Sequence, residues 1–223
     1  MNIGARPGDA VWMSETYYCD YRNAVFACVA VPHGETPRET AMALFEYVRD
    51  TMPLSADSLG VTASETLEKG YGACWNKALV LVALLRKHSI PGRIVKRPLR
   101  RVFLKPLIGN GVYVNNNPYY HCFVQAHLAG GWVSADPSLD ARTYETCYKP
   151  MKVPWDIQWD GKSDHVIHTD HSAGAPEVIE DIDASFNAGI GNRSIPNFII
   201  PFLNGNYWKK TGWDAVMSNR RRT

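Results

Sequence analysis

Cys74, His121 and Asp136 are the residues of this chain whose types and spacing could do chemistry. Cys74 follows a glycine-rich break, Gly70-Tyr71-Gly72-Ala73, and opens a long apolar run that ends near His88. The first N–H groups of a helix lack partners within it and carry partial positive charge. A thiolate placed there is stabilised, its pKa falls, and more of it is nucleophilic at neutral pH. His121 lies in the strand-like segment Tyr119–Leu128, and Asp136 ends the next one, Gly131-Trp132-Val133-Ser134-Ala135. In that order the three side chains suit acyl transfer. The Cys74 thiolate attacks a carbonyl, His121 carries the proton, and Asp136 holds the imidazole in the needed tautomer and favours its charged form. The N–H of Cys74 is one candidate oxyanion donor; no second donor can be read from the sequence.

A buried cysteine is more often a small core hydrophobe than a nucleophile. Three features weigh against that here: glycines that let a substrate approach the backbone closely, a helix that activates the sulfur, and a downstream base with an orienter. The hairpin between the two strands decides whether base and orienter meet. With a loop over 128–131, His127 pairs with Trp132, Asp136 falls opposite Phe123, and His121 becomes its diagonal neighbour, roughly 7–8 Å away at the backbone. A two-residue turn at Gly130-Gly131 would instead set Asp136 opposite Gln125 and weaken the pairing. Both registers fit the sequence.

The elements that must position these residues are legible in outline. Thr36, Pro37 and Glu39 form a capping box with proline at the first helical position, and Ala41, Leu44, Phe45 and Val48 recur at helical spacing, which predicts a helix over about 37–51. Thr62 and Glu65 begin a short helix over about 63–69 that Gly70 stops. The segment from Cys74 to about His88 is apolar nearly all round, the mark of a buried central helix, and Ser89-Ile90-Pro91-Gly92 ends it. Strands are expected at 93–97, 101–104, 111–114, 119–128 and 132–136, with edge strands in the apolar runs 17–21 and 25–31. Helices followed by an antiparallel sheet make an α+β layout. Beyond residue 150 periodicity fades. Trp155–Trp159 reads as an irregular turn region, a short helix is expected around 176–187, and the tail is mixed. Residues 1–150 are taken as the catalytic domain with an N-terminal helical or extended segment, and 151–223 as an extension wrapping it.

Composition bounds the function. The chain has 223 residues and a formal net charge of +2, which argues against a bulk nucleic-acid role. Five cysteines without framework spacing, and without a CxxC pair, read as reduced thiols rather than a disulfide scaffold or a zinc site. The first residues lack the apolar stretch of a signal peptide. No apolar run approaches the roughly 18–20 residues of a membrane span; the longest, Ile195–Leu203, is short and broken by prolines. A cytoplasmic protein without membrane or nucleic-acid partners is therefore expected.

The segment Gly72–Val95, with its cysteine opening a helix and its Ser89-Ile90-Pro91-Gly92-Arg93 turn into a strand, resembles the core of the transglutaminase-like superfamily. His121-Cys122-Phe123-Val124-Gln125-Ala126 and Gly131–Pro137 are similar to its second and third blocks, and the helix ending Phe45–Asp50 resembles the segment preceding the core in many microbial members. The resemblance covers about 62–140. It implies a papain-like α+β fold, a central buried helix starting at the cysteine and packed on an antiparallel sheet, with Cys74, His121 and Asp136 as triad. It also implies reaction at a peptide, amide or thioester through a thioester intermediate. Peptide or amide hydrolysis is the first expectation, with transamidation or amide synthesis close behind. The chain lacks the flanking β-sandwich domains and acidic calcium loop of the large animal cross-linking enzymes, so no cofactor or metal is expected.

Other features need weighing. His165, His168 and His171, with Asp164 and Asp170, are spaced as metal ligands could be, which would make a metal-dependent hydrolase; a solvated polar loop is the commoner outcome and the one expected. Trp75, Tyr113, Tyr119 and Tyr120 suit either an acyl groove or the core. His127 is read as structural, and Arg220–Arg222 as a solvated end. The alternative to an enzyme is a non-catalytic peptide- or protein-binding module on the same fold.

Overall fold

The computed structural model describes residues 10–30, 34–156, 158–165 and 170–220. Helix α1 (Pro37–Thr51) starts on the expected capping box: the Thr36 hydroxyl accepts from the Glu39 N–H and the Glu39 carboxylate accepts from the Thr36 N–H. Helix α2 (Ala63–Lys69) repeats the device with Thr62 and Glu65. It ends at Gly70, whose φ of 68° is the left-handed conformation glycine adopts without strain. That turn carries the chain to helix α3 (Cys74–Lys87).

Every residue of α3 from Cys74 to Arg86 is buried, and α1, α2 and the first two strands pack against it. Two of its three cations, Lys77 and Arg86, are inside. Arg86 donates to the carbonyls of Gly92 and Ser14, and Lys77 to those of Arg49 and Ser138. A buried charge is tolerated only where its donors are met, so α3 is fixed in rotation as well as position.

The sheet is antiparallel throughout, in the order β3-β2-β1-β4, from β1 (Gly92–Leu99), β2 (Tyr119–Leu128), β3 (Gly131–Ala135) and β4 (Glu177–Ile179). Cys122, Val124, Ala126 and Leu128 join the α3 side chains in the main core. The alternate residues Gln125 and His127 are partly exposed; His127 packs edge-on against Trp132 and takes no part in the site. The hairpin resolves the two registers. The turn residues are Ala129 and Gly130, both at positive φ (49° and 88°), one place earlier than a Gly130-Gly131 turn. Both central residues of a type I′ turn need positive φ. Leu128 then pairs with Gly131 and His127 with Trp132, and continuing the ladder past Val124–Ala135 sets Asp136 opposite Phe123.

Several expectations are corrected. Residues 101–104 and 109–114 are 3-10 turns flanking α4 (Lys105–Ile108), not strands. Three or four apolar residues between Pro and Gly suit a tight turn as well as a strand, and Phe103 buries itself in a second small core with Leu99, Leu139 and Tyr148. Among the described residues no strand precedes Gly92: Ala24–Cys28 is a 3-10 helix with Asn23 accepting from the Val25 N–H, and the end of the 25–31 run lies outside the described residues. The region 176–187 holds β4 as well as a helix, α6 (Ile182–Asn187).

Beyond β3 come the short α5 (Ala141–Thr143), and later α7 (Ile200–Thr211) and α8 (Asp214–Arg220). The Asn204 amide both accepts from the Ala56 N–H at 2.8 Å and donates to the Ala56 carbonyl at 2.9 Å, and the Trp208 indole donates to Ser55. These bonds tie α7 to the segment ahead of the cysteine. Arg220 is not simply a solvated end; its guanidinium donates to the carbonyls of Gly70 and Thr51, while Arg221 and Arg222 lie outside the described residues. All five cysteines are free. Among the described residues no helix is long and apolar enough to cross a membrane.

Candidate active site

The three residues singled out by type converge. Cys74 is the first residue of α3. Ala73 before it has no side-chain oxygen to cap the helix, and Asn76 reaches back to the Ala73 N–H instead. His121 comes from the start of β2 and Asp136 from just beyond β3. The His121 Nε2 lies 2.7 Å from Asp136 Oδ2. An ionised carboxylate only accepts, so Nε2 carries the proton and donates. That leaves Nδ1 to face Cys74, whose sulfur His121 engages by charge and by hydrogen bond.

The electrostatics favour a thiolate–imidazolium pair. Burial pushes the Cys74 thiol up, but the His121 charge and hydrogen bonds from His121 and Tyr119 outweigh it, so its pKa is lowered from 9.0. Burial pulls His121 down, yet the Asp136 carboxylate and the Cys74 sulfur raise it to about 10. Burial pushes Asp136 up, and His121 with Ser138 brings it down to about 2. The other buried thiols behave oppositely: Cys19 is raised to about 11 and Cys122 well above 9.0, burial being the main cause in each.

Three further residues complete the geometry. Ser138 holds the back of Asp136: its N–H donates to Oδ1 at 3.1 Å and its hydroxyl donates to the same oxygen. Lys77, one turn into α3, donates to the Ser138 carbonyl at 3.2 Å, so the helix that carries Cys74 also braces the residue that holds Asp136. Burial lowers Lys77 to about 8, against the opposing pull of Asp140 and Asp136. The Tyr119 hydroxyl lies 3.4 Å from the Cys74 sulfur. Burial and the sulfur's charge raise its pKa well above 10.0, so it stays protonated and donates. The sequence held a signal for Ser138, a hydroxyl two residues after the aspartate in an Asp-Pro-Ser turn, and none for Lys77.

Cys74 is only 3% exposed, yet it and His121 line a cavity of about 710 Å³. Its lining includes Phe103, Leu104, Leu107 and Ile108 from the region of α4, and Ile195, Ile199 and Leu203 from the region where α7 starts. Of the aromatics near the site in sequence, Trp75 and Tyr119 line the cavity, whereas Tyr113 lies under Arg101 and Tyr120 under Lys96.

Among the described residues the histidine cluster does not assemble. Asp164 accepts from the Ser134 N–H at 2.7 Å. His165 is buried rather than solvated, between Phe45 and Trp155, with Nε2 on the Asp156 carbonyl. His168 lies outside the described residues. Among the described residues no group of three His, Cys, Asp or Glu could hold a metal ion.

Residues 29–137 match the family model of the transglutaminase-like superfamily. At the family level that supports a cysteine-dependent enzyme on a mixed helix and antiparallel-sheet fold. Among solved structures, a chain from Cytophaga hutchinsonii described as a "Putative Cysteine Protease" is similar at 16% identity and a TM-score of 0.45. The similarity spans 61% of this chain and 44% of that one, less than half its length. No curated protein matches.

Proposed function

We propose that the chain is a cysteine-dependent acyl-transfer enzyme with Cys74 as nucleophile, His121 as acid and base, and Asp136 as orienter. One observation carries the reading: an imidazole hydrogen-bonded at 2.7 Å to a buried carboxylate stands beside a helix-start sulfur that faces a cavity. The Cys74 thiolate attacks the carbonyl carbon, forming an S–C bond while the carbonyl π electrons move to oxygen. The Cys74 N–H, at the first helical position and needing no partner within the helix, meets that oxyanion. Collapse breaks the bond to the leaving group, which takes its proton from His121 Nδ1 and leaves a thioester. A water, or an amine in its place, gives a proton to Nδ1 as it attacks, and departure of the thiolate restores the starting pair. Hydrolysis is the first reaction to expect and aminolysis the second.

Intact-mass measurement after brief exposure to p-nitrophenyl acetate tests this. One acetyl group is expected on Cys74, absent from Cys74→Ala. Acetylation spread evenly over the exposed Cys28, and unchanged in His121→Ala, would sink the proposal.

The Tyr119 hydroxyl donates to the sulfur, and a hydrogen bond to a charged group is worth about 1.5–3 kcal/mol. Tyr119→Phe is therefore expected to slow iodoacetamide alkylation of Cys74 at neutral pH by about tenfold, with the alkylation profile moved to higher pH. An unchanged profile would show that the hydroxyl does not support the thiolate.

A further inference from the structure

We infer that the cavity beside Cys74 takes the apolar acyl chain of the substrate, so that the enzyme's acyl donors are esters, thioesters or amides of extended hydrocarbon acids. This rests on the proposed nucleophile and names its substrate class. The volume, about 710 Å³, is in the range of roughly 300–1,000 Å³ that encloses most of a small ligand. Much of the lining is aliphatic: Leu104, Leu107, Ile108, Ile195, Ile199 and Leu203.

The polar side chains in that lining are largely engaged by the protein itself. Asn204 is held by both its amide groups on Ala56, Tyr207 shares a hydrogen bond with Thr143, Asn192 is bonded to both backbone groups of Tyr120, and Lys210 donates to the Pro106 carbonyl at 2.8 Å. A peptide drawn into such a space would bring N–H and C=O groups that must leave water without matched partners, at a cost of roughly 1–3 kcal/mol each. A hydrocarbon chain brings none. The surface agrees with the interior: Phe198 and Phe202 are 84% and 71% exposed and sit in sequence beside the lining residues Ile199 and Leu203, and lining residue Ile108 is 42% exposed. An apolar chain therefore meets apolar surface at Ile108, where the lining reaches solvent, and within.

A homologous series of p-nitrophenyl esters, acetyl, butyryl, hexanoyl, octanoyl and decanoyl, each below its aggregation concentration, tests the inference. With burial worth about 0.8 kcal/mol per methylene, kcat/KM for acylation of Cys74 should rise about fourfold for each methylene that enters and level off where the cavity ends. Leu203→Trp and Leu107→Trp, at two positions of the lining, should each move that levelling to a shorter ester. A rate independent of chain length, with Cys74 still acetylated, would overturn the inference and leave the nucleophile standing. So would a chain-length rise that neither tryptophan variant shortens, or a p-nitrophenyl ester of a peptide ending in phenylalanine that outpaces decanoyl. Failure of every ester to acylate Cys74 would overturn the nucleophile and the inference together.

Discussion

Asp136→Asn should lower kcat/KM for acyl transfer by about 10³ to 10⁴, although the two side chains have almost the same shape. The reason lies behind the carboxylate. Ser138 presents two donors to Oδ1, its N–H at 3.1 Å and its hydroxyl, while His121 presents Nε2–H to Oδ2. Asp136 is fully buried, so water cannot repair a mismatch. A carboxylate accepts on both sides; an amide cannot. If the asparagine oxygen faces His121, its NH₂ meets the Ser138 N–H, a donor that cannot reverse. If the oxygen faces Ser138, both Ser138 donors are satisfied and the NH₂ points at Nε2. The second arrangement is the lower in energy, and it forces Nε2 to accept and Nδ1 to carry the proton in the neutral ring. Nδ1 then cannot take a proton from the thiol or from the attacking water.

Loss of the carboxylate charge acts in the same direction. Asp136 is the leading cause that raises His121 to about 10, so the variant's imidazole charges less readily and draws less proton density from sulfur. One readout separates this from a general loss of structure. Iodoacetamide alkylation of Cys74 should need higher pH than in wild type while the buried Cys19, Cys122 and Cys147 stay unlabelled, whereas an unfolded variant would alkylate at all five cysteines.

How much of this was legible beforehand follows from what kind of signal each residue sends. Capping boxes are local, so Thr36 with Glu39 and Thr62 with Glu65 place α1 and α2 at their observed limits. An apolar run with no polar face identifies α3, and the order of cysteine, histidine and aspartate identifies the side chains that meet. The hairpin was legible only as two registers, because the choice depends on Ala129 taking a positive φ that an alanine does not announce. The cavity was not legible. Part of its lining comes from α7, and the prolines that made Ile195–Leu203 look broken include Pro201, which sits in the first turn of that helix, where proline starts a helix rather than stops it. Lys77 was hidden for the opposite reason. A lysine in a helix reads as exposed, whereas this one is fully buried with Nζ on the carbonyls of Arg49 and Ser138, a pairing made by residues distant in the chain. His165 was misread likewise: its aromatic cage of Phe45 and Trp155 comes from two separate stretches.

His121→Ala should abolish the pH window in which the enzyme works, and lower kcat/KM at neutral pH by about 10⁴. In wild type the Cys74 thiol is held below 9.0 and His121 is raised to about 10. Turnover needs both the thiolate and a protonated imidazole to hand a proton to the leaving group. It should therefore rise as pH climbs through the lowered cysteine pKa and fall as pH passes about 10, where His121 loses its proton. Alkylation needs only the thiolate, so it should rise on the same acidic limb and not fall on the alkaline one. Removing the imidazole deletes the largest influence that lowers the cysteine and leaves burial, which raises it. The variant should thus alkylate slowly at neutral pH and gain rate only in alkali, with no descending limb in any residual turnover. Measuring both profiles on both proteins is decisive, because a histidine that merely packed beside the sulfur would change the amplitude of the curves and not the pH at which they bend.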